Sequence, residues 1–117
     1  MRHTTLVTFL LTATPVFAGP YDGLYYPDGI GGAQGWDCVS VGSDGGAFAI
    51  QDDILHGVES QCRLTNPVAV NGMDATLYDA ECMSEGEESS RRLMVLRLRD
   101  GVALIGDGYV FPLKSCP

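Results

Sequence analysis

Between Trp36 and the C-terminus, short apolar runs alternate with polar residues and are separated by turn-forming pairs, with no sustained three-to-four spacing of an amphipathic helix. That pattern predicts an all-β chain. Residues 36–41 and 47–51 flank Ser43-Asp44-Gly45-Gly46, and a turn there sets Val41 beside Phe48 and Val39 beside Ile50. A turn at His56-Gly57 leads into a strand over 58–64. Further on, residues 93–99, 102–105 and 109–113 are separated by Asp100-Gly101 and Asp107-Gly108. Asp-Gly between short apolar runs is a strong hairpin signal, and each glycine is read as the positive-φ residue of its turn. Met94, Leu96 and Leu98 alternate with Arg97 and Arg99, which predicts one wet face for that strand.

The segment CRLTNPVAVNGMDATLYDAEC, residues 62–82, has Asn71-Gly72 near its middle. Folded as a hairpin, it can set Cys62 opposite Cys82, Leu64 opposite Ala80 and Val68 opposite Thr76. The same register opposes Arg63 and Glu81 on the other face, so cysteine, apolar and charge pairing agree. It centres the turn on Gly72, which calls for an odd loop or a bulge. Pro67 cannot donate a ladder hydrogen bond, so its strand is an edge or is bulged. The chain has four cysteines, and four cysteines allow three pairings. The hairpin register favours Cys62–Cys82, which leaves Cys38 to join Cys116.

About seven or eight short strands joined by tight turns give a small antiparallel meander, either a closed barrel or a two-layer sandwich. A Cys38–Cys116 bond favours closure, because it joins the first predicted strand to the last. Residues 21–35, YDGLYYPDGIGGAQG, are rich in glycine and proline and read as irregular. The expected organisation is a leader over 1–18, an irregular arm over 19–35 and a β domain over 36–117.

The leader is read from MRHTTLVTFLLTATPVFAGP: a basic start at Arg2, an apolar stretch over 6–13, then Val16-Phe17-Ala18 as a small-residue cleavage pattern. The apolar stretch is well short of the roughly 20 residues that span a bilayer, so a signal peptide rather than an anchor is expected. The short signal has a bacterial look and directs the chain to the periplasm or the outside. Cleavage after Ala18 leaves 99 of 117 residues, one domain, and removing Arg2 shifts the formal charge from −8 to −9. So acidic a chain repels phosphate backbones, which argues against nucleic acid and anionic lipid; a cationic protein partner fits, against the plainer reading that negative charge keeps an exported protein soluble. A monomer without membrane insertion is expected. An even cysteine count in a small exported domain reads as two disulfides rather than zinc or redox chemistry, since no C-x-x-C stands in the sequence.

Catalytic chemistry is thinly represented. Ser60, His56 and Asp53 can be drawn as a triad, but nothing resembles a nucleophile elbow. Asp52-Asp53 would point to opposite faces of a strand. No EF-hand pattern occurs, and no cofactor is expected. The most distinctive charged run is Glu85-Gly86-Glu87-Glu88, followed by Ser89-Ser90-Arg91-Arg92. Glu85, Glu87 and Glu88 are read as a protruding acidic loop able to enter a basic cleft, against the plainer reading of a solvated loop. Tyr25, Tyr26 and Trp36 offer a second candidate surface for a peptide or glycan if their rings are exposed together; otherwise they plug one end of the barrel.

The succession GWDC at 35–38, VESQC at 58–62, YDAEC at 78–82, Glu85-Gly86-Glu87, a basic-apolar strand, Asp-Gly and a terminal cysteine resembles small exported four-cysteine β proteins of alphaproteobacteria to which no activity is assigned. The resemblance spans nearly the whole chain after the leader and implies compartment and architecture, with no catalytic residues to carry over. In type the chain is also similar to the periplasmic lysozyme inhibitors, small disulfide-bearing β-barrels, although their inhibitory-loop motif is not found here. A non-enzymatic exported binder is the resulting expectation, with a structural or accessory envelope protein as the alternative.

Overall fold

The structure, a computed structural model, describes residues 19–27, 29 and 35–117. The expected leader over 1–18 and part of the expected arm lie outside the described residues. Eight antiparallel strands follow one another around a closed barrel: β1 (Gly23–Pro27), β2 (Phe48–Gln51), β3 (Ile54–Gly57), β4 (Ser60–Ala69), β5 (Ala75–Ser84), β6 (Glu87–Leu98), β7 (Gly101–Gly106) and β8 (Tyr109–Ser115). β1 closes the circle by pairing with both β2 and β8.

β1 corrects the expectation of an irregular arm. Its Gly and Pro flank a Leu-Tyr-Tyr core, and Tyr25 buries its ring inside the barrel, 2% exposed. The predicted first strand over 36–41 is instead a compact turn. The Asp37 carboxylate accepts the backbone N–H groups of Val39 and Ser40, and also the Ser40 hydroxyl. These bonds satisfy the backbone locally in place of a ladder and hold the Asp37 carboxyl below its usual pKa. Phe48 accordingly pairs with Tyr25 and Ile50 with Gly23, not with Val41 and Val39.

Two more turns shift. Asp52 and Asp53 are not strand residues but the centre of the tight β2–β3 turn, both at positive φ (52° and 61°). His56-Gly57 lies within β3, and the next turn falls at Val58-Glu59, where Glu59 has φ 51°. Aspartate tolerates the left-handed region better than most residues, which is how Asp-Asp serves where Asn-Gly is usual.

The β4–β5 hairpin has the expected register over its cysteine end: Cys62 opposite Cys82, Arg63 opposite Glu81, Leu64 opposite Ala80. A bulge between Thr65 and Val68 then moves Val68 from Thr76 to Leu77. Asn66, at φ 51°, takes the extra residue beside Pro67. Both disulfides form as expected, Cys62–Cys82 and Cys38–Cys116, and no described cysteine is free. Cys38 sits in the turn rather than in a strand, so the long bridge ties that turn to the end of β8. Its sequence separation of 78 contributes on the order of 4–5 kcal/mol in the chain-entropy model.

Inside the barrel pack Tyr25, Ile50, Leu55, Leu64, Tyr78, Leu93, Val95, Val102, Leu104 and Leu113, with the Cys62–Cys82 bridge among them. This fixes the facing of β6 and corrects its reading. Leu93 and Val95 point inward beside Tyr78 and Leu104, and Met94, Leu96 and Leu98 lie on the outer wall. There Met94 and Leu96 have Leu77, Ile105, Ala75 and Ala103 as cross-strand neighbours, which leaves them half-covered rather than in the core. Arg97, expected on the wet face, is inward.

Candidate functional site

The strands differ in length, and that difference builds the site. β5 and β6 span 10 and 12 residues, whereas β2 and β3 span 4 each. β6 pairs with β7 only from Met94 to Leu98. Residues 87–93 therefore keep β5 on one side and, among the described residues, no strand on the other. The β5–β6 hairpin projects past the barrel rim and turns at Glu85-Gly86, with φ 51° and 81°. Positive φ at both central residues suits the right-handed twist of the hairpin, and glycine at the second makes it inexpensive.

The expected acidic loop is thus the end of a regular hairpin. Glu87 and Glu88 belong to β6, opposite Ser84 and Met83. Alternation sends Glu87 to the inner face with Ser89 and Arg91, and Glu88 to the outer face with Ser90 and Arg92. The acids are gathered at one exposed tip but do not share a face. Glu59, in the neighbouring turn, joins them: Glu59 and Glu85 both line a shallow groove of about 420 Å³ that also holds His56 and Met83. Of the arginines that follow, Arg92 is held by Asp79 at 3.4 Å, an exposed pair. On the outer wall, Arg63, Glu81 and Glu88 line a second, larger depression of about 530 Å³.

The aromatic candidates separate. Tyr25 is core, its hydroxyl donating to the Tyr21 carbonyl, so it is withdrawn from any exposed binding face. Burial pushes its pKa up, only partly offset by the nearby Arg97. Tyr26 faces outward across from Lys114, half-buried. Trp36 packs on Phe48 with ring centres 5.7 Å apart, and Phe48 meets Phe111 edge-on at 5.7 Å. Tyr25 and Trp36 thus pack in two different places, where the sequence suggested one, and Tyr26 lies outside both.

Ser60, His56 and Asp53 are not brought together. Ser60 faces the barrel mouth, His56 the outer groove, and Asp53 the β2–β3 turn at the other end. Among the described residues, no group of three or more His, Cys, Asp or Glu side chains is placed to hold a metal ion. No described helix is long and apolar enough to cross a membrane.

Sequence reasoning missed Glu59, whose place beside Glu85 depends on the β3–β4 turn. It also missed Arg91 as an inward residue, because the facing of β6 was read one residue out of step. Compared with known proteins, the chain matches no family model, no curated protein and no solved structure. Two disulfides with no free described cysteine mark an oxidising, non-cytoplasmic compartment.

Proposed function

We propose that this protein is exported to the periplasm or released, and acts there without catalysis by binding a basic protein through the tip of the β5–β6 hairpin. One observation carries the reading. The hairpin extends beyond β7 and presents Glu85, Glu87 and Glu88 on an exposed end, with Glu59 beside it. A formal charge of −8 adds a long-range field of the same sign. Such a field steers encounter with a cationic cleft and raises the association rate more than it raises affinity. The similarity in type to periplasmic lysozyme inhibitors, read from the sequence, is what suggests a basic hydrolase as the partner.

The test is the association rate of the oxidised protein with a panel of basic hydrolases, a lysozyme included, across a salt series. Replacing Glu85, Glu87 and Glu88 with glutamine should lower that rate about tenfold at low salt and flatten its salt dependence. Unchanged, salt-indifferent binding by the triple variant would exclude the acidic tip. No binding to any member of the panel by either form would favour a structural envelope role.

A further inference from the structure

The two ends of the barrel are covered differently: the segment before β1 lies over one, the closed end, where Pro20, Leu64, Thr76 and Tyr78 still line a pocket of about 340 Å³, and the other is the open end. At the open end Phe48, Leu55, Leu93, Leu104 and Phe111 line a cavity of about 200 Å³ that the core side chains leave unfilled. The lining contains one charged side chain, Arg91. Its guanidinium donates to the Cys62 Sγ at 3.7 Å, and a disulfide sulfur is a weak acceptor for a cation. The ion pairs among the described residues involve Arg92 and Arg97, and none involves Arg91. Glu87 shares its strand face but lies four residues nearer the tip, about 13 Å away along the strand. Arg91 is exposed, so water solvates its charge, and at the rim of an apolar cavity it remains available to an anion in a chain of 15 acids and 7 bases.

We propose that this mouth binds a small hydrophobic monocarboxylate, its carboxylate held by Arg91 and its apolar part filling the cavity. The planar guanidinium fork matches a planar carboxylate with two parallel hydrogen bonds, and a single arginine neutralises a single charge. The size of the apolar part follows from the volume: an apolar cavity of roughly 150 Å³ takes up benzene, so this one admits a single ring or a short alkyl chain. The site adjoins the acidic groove, sharing Ser60 with it, but its ligand does not depend on the partner of the acidic tip. It has a built-in reporter, since Trp36 is the sole tryptophan and its ring packs on Phe48 in the cavity wall.

The experiment titrates octanoate and 3-phenylpropionate, below the concentration at which either self-associates, into the purified oxidised protein. Trp36 emission and calorimetry are followed together. Saturable binding of the acids is expected, with octylamine and octanol bound at least about tenfold more weakly. Arg91→Gln should cost about tenfold in octanoate affinity and leave octanol affinity unchanged. Because Arg91 is exposed, the variant should melt with the natural protein. If it does not, the comparison of octanoate with octylamine on the natural chain decides alone. Absence of a saturable signal with either acid, equal binding of the amine, or undiminished octanoate binding by Arg91→Gln would each overturn the proposal.

Discussion

Arg91 and Arg97 leave the same face of β6, six residues or about 20 Å apart, and meet opposite ends of the barrel. At the closed end Arg97 lies over the Tyr21 ring, 5.1 Å from its centre, pairs with Asp74 at 3.8 Å and donates to the Pro20 carbonyl. Tyr21 in turn hydrogen-bonds Thr76 across the barrel, at 2.9 Å. At the open end Arg91 has one weak contact to a sulfur. The same residue type on the same strand is therefore structural in one place and available in the other. What separates them is whether the chain supplies acceptors locally: the segment before β1 folds under Arg97, and nothing described folds over Arg91.

If the closed end carries stability and the open end is spared for contact, equivalent changes should cost more at the closed end. The glycines test this most severely. Gly101 pairs with Leu98 at the closed end, and a Cβ there would collide with the Leu113 carbonyl oxygen. Gly108, at the open end, has φ 87°, and no neighbouring atom lies within 4 Å of the place a methyl group would take. Gly101→Ala should destabilise by about 3 kcal/mol through overpacking against backbone that cannot yield. Gly108→Ala should cost about 1 kcal/mol, the strain of positive φ alone. Denaturant midpoints measure both, and equal costs would remove the contrast. The Asp-Gly signal located both hairpins correctly yet misassigned Gly101. It lies in β7, and its glycine is required by a close approach to β8, not by turn geometry.

The arginines should show the same contrast at smaller scale. Arg97→Met removes the contact with the Tyr21 ring and the pair with Asp74, for a loss of about 1–2 kcal/mol. Arg91→Met should stay within about 0.5 kcal/mol, as for a surface position. A larger loss at Arg91 than at Arg97 would invert the assignment of the two ends.

Alkaline pH probes the closed end through its tyrosines. Burial raises the pKa of Tyr25, and burial together with the neighbouring Tyr21 raises that of Tyr78. Each hydroxyl holds its proton more tightly folded than unfolded. The stability linked to that difference is complete below the unfolded value of about 10 and is lost as pH rises through the folded values. The melting temperature should therefore fall above about pH 10, and Tyr25→Phe should make the fall shallower. A profile indifferent to that substitution would place the alkaline weakness elsewhere.

Why some of this was legible in the sequence follows from where the information lies. The Cys62–Cys82 register could be read because cysteine, apolar and charge pairs all constrain one local hairpin. The barrel's closure was only suggested, since β1 is recognisable by its partners β2 and β8, both distant in sequence. The facing of β6 was misread because Met94-Leu96-Leu98 and Leu93-Val95 both offer an apolar alternation, and only the neighbours Tyr78 and Leu104 decide between them. Arg91, and with it the mouth, depended on that choice.

The smallest expected effect on stability concerns the same acids that the proposed function uses. Past β7, residues 87–93 of β6 form an open edge, and at the opposite end β4 runs past β3 beyond Leu64. An unguarded edge invites pairing with another chain. The β4 edge has Pro67, which lacks an N–H, together with the bulge; the β6 edge has only charge, in Glu87, Glu88, Arg91 and Arg92. Replacing Glu87 and Glu88 with threonine keeps strand propensity and should change stability by less than about 0.5 kcal/mol. It should nonetheless produce concentration-dependent self-association in sedimentation velocity, because the outer part of the β6 edge loses its charges. Alanine at Pro67 should produce less, since the bulge still bends that edge away. If the threonine variant stays monomeric while binding to the basic partner is lost, the two acids serve recognition alone; if it associates and binding is also lost, the same charges both attract the partner and keep copies of the chain apart.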